Sequence, residues 1–215
     1  MKNLAQIAED SLRANIMTLP SGKFVTAGQN QFLTLWTRDF CHAVKGLVSI
    51  GEKEVARNHL SYLLKNLRDD GLVPRVVDNH QVQLRVAWQS FRKQVPILPK
   101  LSFKEPLKPQ YIDEHGSNAY DSNLLLILAS LEMDESFRVE YQNELNKVWH
   151  WYDDKFKDGL IYQSSFSDWQ DTTNREGYTF LLNLFYYMAG TALGKDLEGL
   201  KKKIKESFFD GKVFL

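Results

Sequence analysis

Cysteine is nearly missing from this chain: Cys41 is the only one in 215 residues. That excludes an intrachain disulfide framework and any multi-cysteine zinc site. Net charge is missing as well, with 27 basic residues against 27 acidic ones. Nothing in that balance recruits a polyanion, so neither nucleic acid nor an anionic membrane is an expected partner. The uncharged stretch from Gly177 to Gly194 falls short of the ~20 apolar residues a spanning helix needs, and Thr179, Asn183, Thr191 and its tyrosines mark it as a buried core helix. Glu9 and Asp10 interrupt the start of the chain before an apolar leader core can form, which predicts no secretory signal and a cytoplasmic location. A glycine-rich phosphate loop, a His-Glu-x-x-His pair and a matched Ca²⁺ loop are all wanting, so no cofactor and no metal are predicted.

Against these absences, apolar residues make up 43% and charged residues 25%, the composition of a folded domain with a real core. Apolar positions recur at helical spacing in seven segments: 3–18 (Leu4, Ile7, Ala8, Leu12), 37–50, 52–69, 119–131, 135–157, 176–191 and 195–208. They alternate in character. The first, third, fifth and seventh carry charged faces, whereas the second, fourth and sixth are nearly uncharged beyond their first turns. A helix apolar all round must be covered on all sides, so the arrangement expected is two layers of antiparallel hairpins. The predicted fold class is all-α, an α/α toroid, preferred to a solenoid because the inner helices are too apolar for an exposed concave face. Asp70-Gly71-Leu72 after the third helix and Asp158-Gly159-Leu160 after the fifth repeat one joint, each with a glycine placed for a left-handed C-cap. Residues 1–215 read as a single partial domain with a long insertion at 73–117, which holds five of the six prolines. Within it Val82, Leu84, Val86 and Trp88 alternate with other residues, predicting a small β element near 76–90. A connection of that length in a compact domain is usually functional.

If the inner helices run the same way, their N-termini gather at one end. The charges they keep lie there: Arg38 and Asp39, then Asp121, then Asp171, Arg175 and Glu176, with Trp36 and Trp169 in the adjoining loops. Asp39 and Asp121 also fit as first-turn carboxylates that stabilise their own helices by about 0.3–1 kcal/mol each, and Asp171 fits as a helix cap. Aromatic rings beside carboxylates and amides suit a sugar, whose ring offers apolar C–H faces and whose hydroxyls need paired hydrogen bonds. Cleaving a glycosidic bond takes one carboxylic acid on the leaving oxygen and a second carboxylate acting on the anomeric carbon or on water. Asp171 lies between Trp169 and an apolar helix, where partial burial raises a carboxyl's pKa and suits it to the acid role. Asp168 is the alternate acid.

Trp36-Thr37-Arg38-Asp39, at the start of an inner helix, resembles the Trp-Thr-Arg-Asp segment of glucoamylases and of the glucosidase domain of glycogen debranching enzymes. Asp70-Gly71-Leu72-Val73-Pro74-Arg75, Tyr120-Asp121-Ser122-Asn123 and Ser167-Asp168-Trp169-Gln170-Asp171 follow in that superfamily's order, the last resembling the Asp-Trp-x-Asp segment of bacterial six-hairpin glycosidases. The match spans roughly residues 30–190. It implies the first half of an (α/α)₆ barrel of an inverting glycosidase acting on an α-glucoside or related oligosaccharide. Arg38 and Asp39 would then hold hydroxyls of the non-reducing-end sugar, Trp36, Arg75, Asp121, Asp168 and Trp169 would face the substrate, and Asp171 would be the general acid.

The chain departs from that pattern in length. Seven helices with their connections take all 215 residues, so twelve would need about 370, and no residue matches the family's late second carboxylate. Three functions remain open on the sequence: the N-terminal half of a glycosidase, a non-catalytic sugar-binding remnant, or another toroid carbohydrate enzyme such as a phosphorylase, epimerase or lyase. The expected partners are a carbohydrate and either a C-terminal half-barrel or a second copy, meeting the exposed flanks of the inner helices.

Overall fold

The computed structural model describes residues 3–29, 32–168 and 173–214. Its elements run α1 (Leu4–Ala14), β1 (Ile16–Leu19), β2 (Gly22–Val25), β3 (Leu35–Trp36), α2 (Thr37–Ser49), α3 (Lys53–Lys65), β4 (Val76–Asp78), α4 (Val82–Gln94) and β5 (Lys108–Gln110). Then come α5 (Tyr120–Ser130), α6 (Glu135–Glu140), α7 (Gln142–His150), β6 (Phe156–Lys157), β7 (Leu160–Gln163), β8 (Gly177–Tyr178), α8 (Phe180–Ala192) and α9 (Glu198–Phe208). About half the chain is helical, and three small antiparallel sheets, β1-β2, β3-β4-β5 and β6-β7-β8, accompany the helices. The protein is therefore mainly helical and not all-α.

The nearly uncharged helices α2, α5 and α8 form a row with α5 in the middle, and α3, α7 and α9 pack against α2, α5 and α8 in turn. Ten of the eleven residues of α5 are buried, as its charge-free sequence requires. Helix α8 departs from the expectation, because Leu181 and Met188 are 39% and 44% exposed. Helix α1 departs further. It touches α2 where Leu12 meets Gly46, but Leu4 and Ile7 of the predicted stripe are exposed. The fifth predicted helix is broken at Tyr141 into α6 and α7, and its last predicted member, Phe156, belongs to β6.

The insertion is corrected as well. A strand forms at Val76–Asp78, but residues 82–94 are helical. The inward residues are Val82, Arg85 and Gln89, at steps of three and four, while Leu84 is 58% exposed. Arg85 turns inward because Asp78 accepts two hydrogen bonds from its guanidinium, and the carbonyls of Leu101 and Ser102 accept two more.

The two Asp-Gly-Leu joints share a left-handed glycine but differ at the aspartate, since Asp158 is itself left-handed at φ +53° within the β6–β7 hairpin whereas Asp70 accepts the Leu72 N–H. Gly71 and Gly159 both have left-handed φ, +92° and +81°, and a Cβ on Gly71 would run into the Lys147 carbonyl of α7. One residue beyond each joint, a backbone N–H donates to a buried asparagine at the fourth position of an inner helix. Val73 N–H donates to Asn123 Oδ1 at 2.9 Å, and Ile161 N–H to Asn183 Oδ1 at 2.8 Å. Asn123 Nδ2 also donates to the carbonyls of Gly71 and Val148, and Asn183 Nδ2 to those of Ile161 and Thr179. Each outer helix thus passes through a joint that the following inner helix clamps.

One buried histidine sets a pH dependence. His59 of α3 is fully buried, stacked on Phe40 with ring centroids 3.7 Å apart. Its Nδ1 accepts from Val25 N–H, and Nε2 has no partner among the described residues. Burial pulls its pKa from 6.5 down to about 3. The folded state therefore excludes a proton that the unfolded chain takes up between those values, so stability is full above pH 6.5 and falls as pH drops toward 3. The limiting slope is about 1.4 kcal/mol per pH unit, and about 3 kcal/mol should be lost by about pH 4.5. Urea unfolding of the wild type and of His59→Phe across this range should show the dependence in the wild type and a flatter profile in the variant. Equal slopes would assign the loss to other groups.

Candidate functional site

The lead-ins to α2, α5 and α8 lie side by side. Trp36 ends β3 and Thr37 opens α2, docking onto the insertion's start: Thr37 N–H donates to Arg75 O at 3.1 Å and Thr37 Oγ1 to Pro74 O. The tetrapeptide at 36–39 therefore sits directly on the hexapeptide at 70–75. The first turns of α2 and α5 are joined by a two-pronged ion pair, Arg38 Nε to Asp121 Oδ2 at 2.6 Å and Nη2 to Oδ1 at 2.9 Å. The pair is largely withdrawn from water, its side chains 18% and 5% exposed. One helical turn below it, burial and then the carboxylates of Asp121 and Asp39 push the Cys41 thiol pKa far up, so the cysteine stays protonated and unreactive.

The lead-in to α8 joins the same rim. Tyr120 N–H, at the start of α5, donates to Ser167 O at 2.7 Å, and Ser117 Oγ to Ser165 O at 2.8 Å. Asp168, nearly buried, accepts from Arg175 and from Gln163 Nε2, and Gln163 Oε1 accepts from Thr179 at the head of α8.

A groove of about 540 Å³ opens between the lead-in to α2 and α4, lined by Phe32, Trp36, Arg75, Val82, Val86 and Glu114 among others. Its floor is fixed by Arg75, buried and hydrogen-bonded to the buried Asp113 at 3.1 Å. Asp113 in turn accepts from the backbone N–H groups of His115 and Ser117, which pins the approach to α5.

Five buried side-chain polar atoms have no partner among the described residues, and three of them lie on these lead-ins: Trp36 Nε1 before α2, Asn118 Oδ1 before α5 and Arg175 Nε before α8. Buried polar groups are nearly always paired. Two donors and an acceptor left over at one rim form a set that hydroxyl groups could satisfy. No group of three or more His, Cys, Asp or Glu forms a metal site among the described residues.

Of the residues singled out from the sequence, Arg38 and Asp121 meet each other, Trp36 and Arg75 share the groove, and Asp168 stands on the third lead-in. Asp39 points differently among the described residues. It lines a separate cavity of about 180 Å³ with Asn15, Thr26 and Ala27, because successive helix residues do not share a face. Asp171 and Trp169 lie outside the described residues. Phe32, Asp113, Glu114 and Gln163 were not singled out. The Asp-x-x-Gly spacing at 113–116 is the one signal that marks a structured turn there.

No protein-family model matches the chain, and no curated protein matches it either. No helix among the described residues is long and apolar enough to cross a membrane.

Proposed function

We propose that this rim is a carbohydrate-binding site and that the helix row is a segment of an α/α toroid of the six-hairpin glycosidase type, acting on an α-glucoside or related oligosaccharide. The observation that carries the reading is the set of unpartnered polar atoms on the three lead-ins, Trp36 Nε1, Asn118 Oδ1 and Arg175 Nε, beside a groove walled by Phe32 and Trp36. Aromatic faces pack against sugar C–H surfaces, and hydroxyls both donate and accept. The motif order from Trp36 to Asp171 agrees with it. In this reading the Arg38–Asp121 pair holds the first turns of two helices in register and presents a polar wall to the sugar. Asp171 supplies the proton to the leaving oxygen, and a carboxylate from outside this chain completes hydrolysis by inversion. By itself the chain binds and does not turn over substrate.

Titrating the protein with a maltooligosaccharide while following tryptophan fluorescence tests this. Binding is expected, with Trp36→Ala weakening it at least tenfold, the scale of one lost stacking contact at about 1–1.5 kcal/mol or more. Binding that is undiminished in Trp36→Ala, or no binding at millimolar sugar, removes the carbohydrate assignment and leaves a helical scaffold.

A further inference from the structure

Helix α4 carries an apolar stripe on its outer side. Its buried positions are Val82, Arg85 and Gln89, two of them polar. On the opposite face Leu84, Trp88 and Phe91 follow at steps of four and three, with Leu84 and Phe91 58% and 54% exposed. A surface helix of a globular protein normally turns its apolar side inward. The apolar surface continues beyond the helix into a turn in which Leu98 N–H donates to Val95 O. That turn is tied back to α4: Arg92 Nε donates to Leu98 O at 2.7 Å and Trp88 Nε1 to Pro99 O at 3.0 Å. Ile97 projects from it, 91% exposed, between Pro96 and Pro99, whose rings fix φ on either side. On the other flank of α4, Val82 and Val86 wall the groove at Trp36.

The charge of the same excursion is one-sided, although the whole chain is neutral. Residues 79–108 hold six basic side chains and one acidic one, Glu105. Arg85 is neutralised inside by Asp78, and Glu105 is turned to Ser21 of the β1–β2 hairpin. Arg92, Lys93, Lys100, Lys104 and Lys108 are left around the apolar residues, the last four of them exposed. We propose that this excursion docks on an anionic lipid bilayer. Leu84, Phe91 and Ile97 enter the boundary between headgroups and acyl chains, and the basic side chains meet the lipid anions, in the manner of an interfacial helix. The 13 residues of α4 lie on the membrane and are too few to cross it. Charge complementarity selects this occupant. A second copy would bring two basic excursions together. Nucleic acid would answer the lysines but leave Leu84 and Ile97, which have no ring to stack, in water. The apolar residues are also divided between a helix face and a separate turn, a shape that a fluid surface follows and a rigid protein groove would have to match. The groove lies on the other flank of α4, so this docking does not depend on the sugar reading.

Co-sedimentation of the full chain with lipid vesicles tests it. Vesicles of about three parts phosphatidylcholine to one of phosphatidylserine are expected to bind about tenfold or more tightly than phosphatidylcholine alone, and added salt should remove the difference. Phe91→Ser with Ile97→Ser should weaken the anionic binding about tenfold, and Ile97→Ser alone about threefold or more. Both side chains are largely exposed, so the thermal midpoint should stay within about 2 °C of the wild type. Ile97 makes so little contact that its single variant carries the test even where the double variant unfolds. Lys100→Gln with Lys104→Gln should weaken binding to the anionic vesicles and leave the weak binding to neutral ones unchanged. The proposal is overturned if neither vesicle binds, if both bind alike, or if Ile97→Ser binds as the wild type does. A concentration-dependent dimer that Ile97→Ser abolishes would overturn it too, by assigning the patch to a second copy.

Discussion

Replacing Asn123 with leucine is expected to cost about 4 kcal/mol of folding stability, against a total of about 5–15 kcal/mol for a domain of this kind. The side chain is fully buried and makes three hydrogen bonds, from Val73 N–H and to the carbonyls of Gly71 and Val148. Leucine keeps the branched shape but is bulkier, so some overpacking strain is added, and three backbone groups are left in a dry interior at about 1–3 kcal/mol each. Some of that is relieved by relaxation of the joint, which sets the expectation below the simple sum. The Asp210-Gly211 turn that follows α9 shows how far relaxation can go: Gly211 is left-handed at φ +97° and Asp210 takes the Val213 N–H itself, so the turn closes without an asparagine, but Val213 lies exposed. Asn123 therefore contributes the docking of the joint under α5 more than the closing of the turn. Urea unfolding followed by far-ultraviolet circular dichroism measures the cost. A loss below about 1 kcal/mol would show that the joint docks on its apolar residues alone.

The parts of this architecture that were legible in the sequence are those written in apolar periodicity and in glycine. Helices α2, α5 and α8 stand out as nearly uncharged beyond their first turns, and the paired Asp-Gly-Leu joints announce a repeat. That Arg38 of the 36–39 motif meets Asp121 of the 120–123 motif agrees with helices running the same way, whose N-termini come together; the motif at 167–171 lies partly outside the described residues. What was not legible depends on polar residues doing work inside the protein. Asn123 and Asn183 look like interruptions in apolar helices, and their shared fourth position acquires meaning only once both are seen to bond the residue after a joint. Asp39 follows Arg38 in sequence, which invites pairing them in one site, yet a turn of about 100° per residue sends it to a different cavity. In the insertion, the alternation of Val82, Leu84, Val86 and Trp88 predicts a strand only if the residues between them, Arg85 included, face outward. Once Arg85 counts as interior, the buried positions fall at helical spacing.

Arg85 is accordingly the residue whose loss should be felt most in the insertion. Arg85→Met keeps the length and much of the volume of the side chain but leaves Asp78 as a buried carboxylate without its cation, in a pair whose side chains are both 0% exposed. Removing one partner of such a pair costs about 3–5 kcal/mol, because the surviving charge stays desolvated. The carbonyls of Leu101 and Ser102 lose their donors at the same time. Since Asp78 ends β4, whose neighbours β3 and β5 carry Trp36 and the approach to Arg75, the damage should spread from α4 to the groove wall. The double variant Arg85→Met with Asp78→Leu separates the two causes. Replacing both charges by apolar groups is often neutral or stabilising relative to the intact pair, so most of the lost stability should return. Thermal unfolding of the three proteins gives the energies, and limited proteolysis within 79–107 reports the local effect. The expected order is wild type and double variant resistant, Arg85→Met cut rapidly in this stretch with the α5–α7–α8 row still protected. A single variant as stable and as resistant as the wild type would mean that α4 is held by its apolar contacts and that the ion pair is dispensable to the groove.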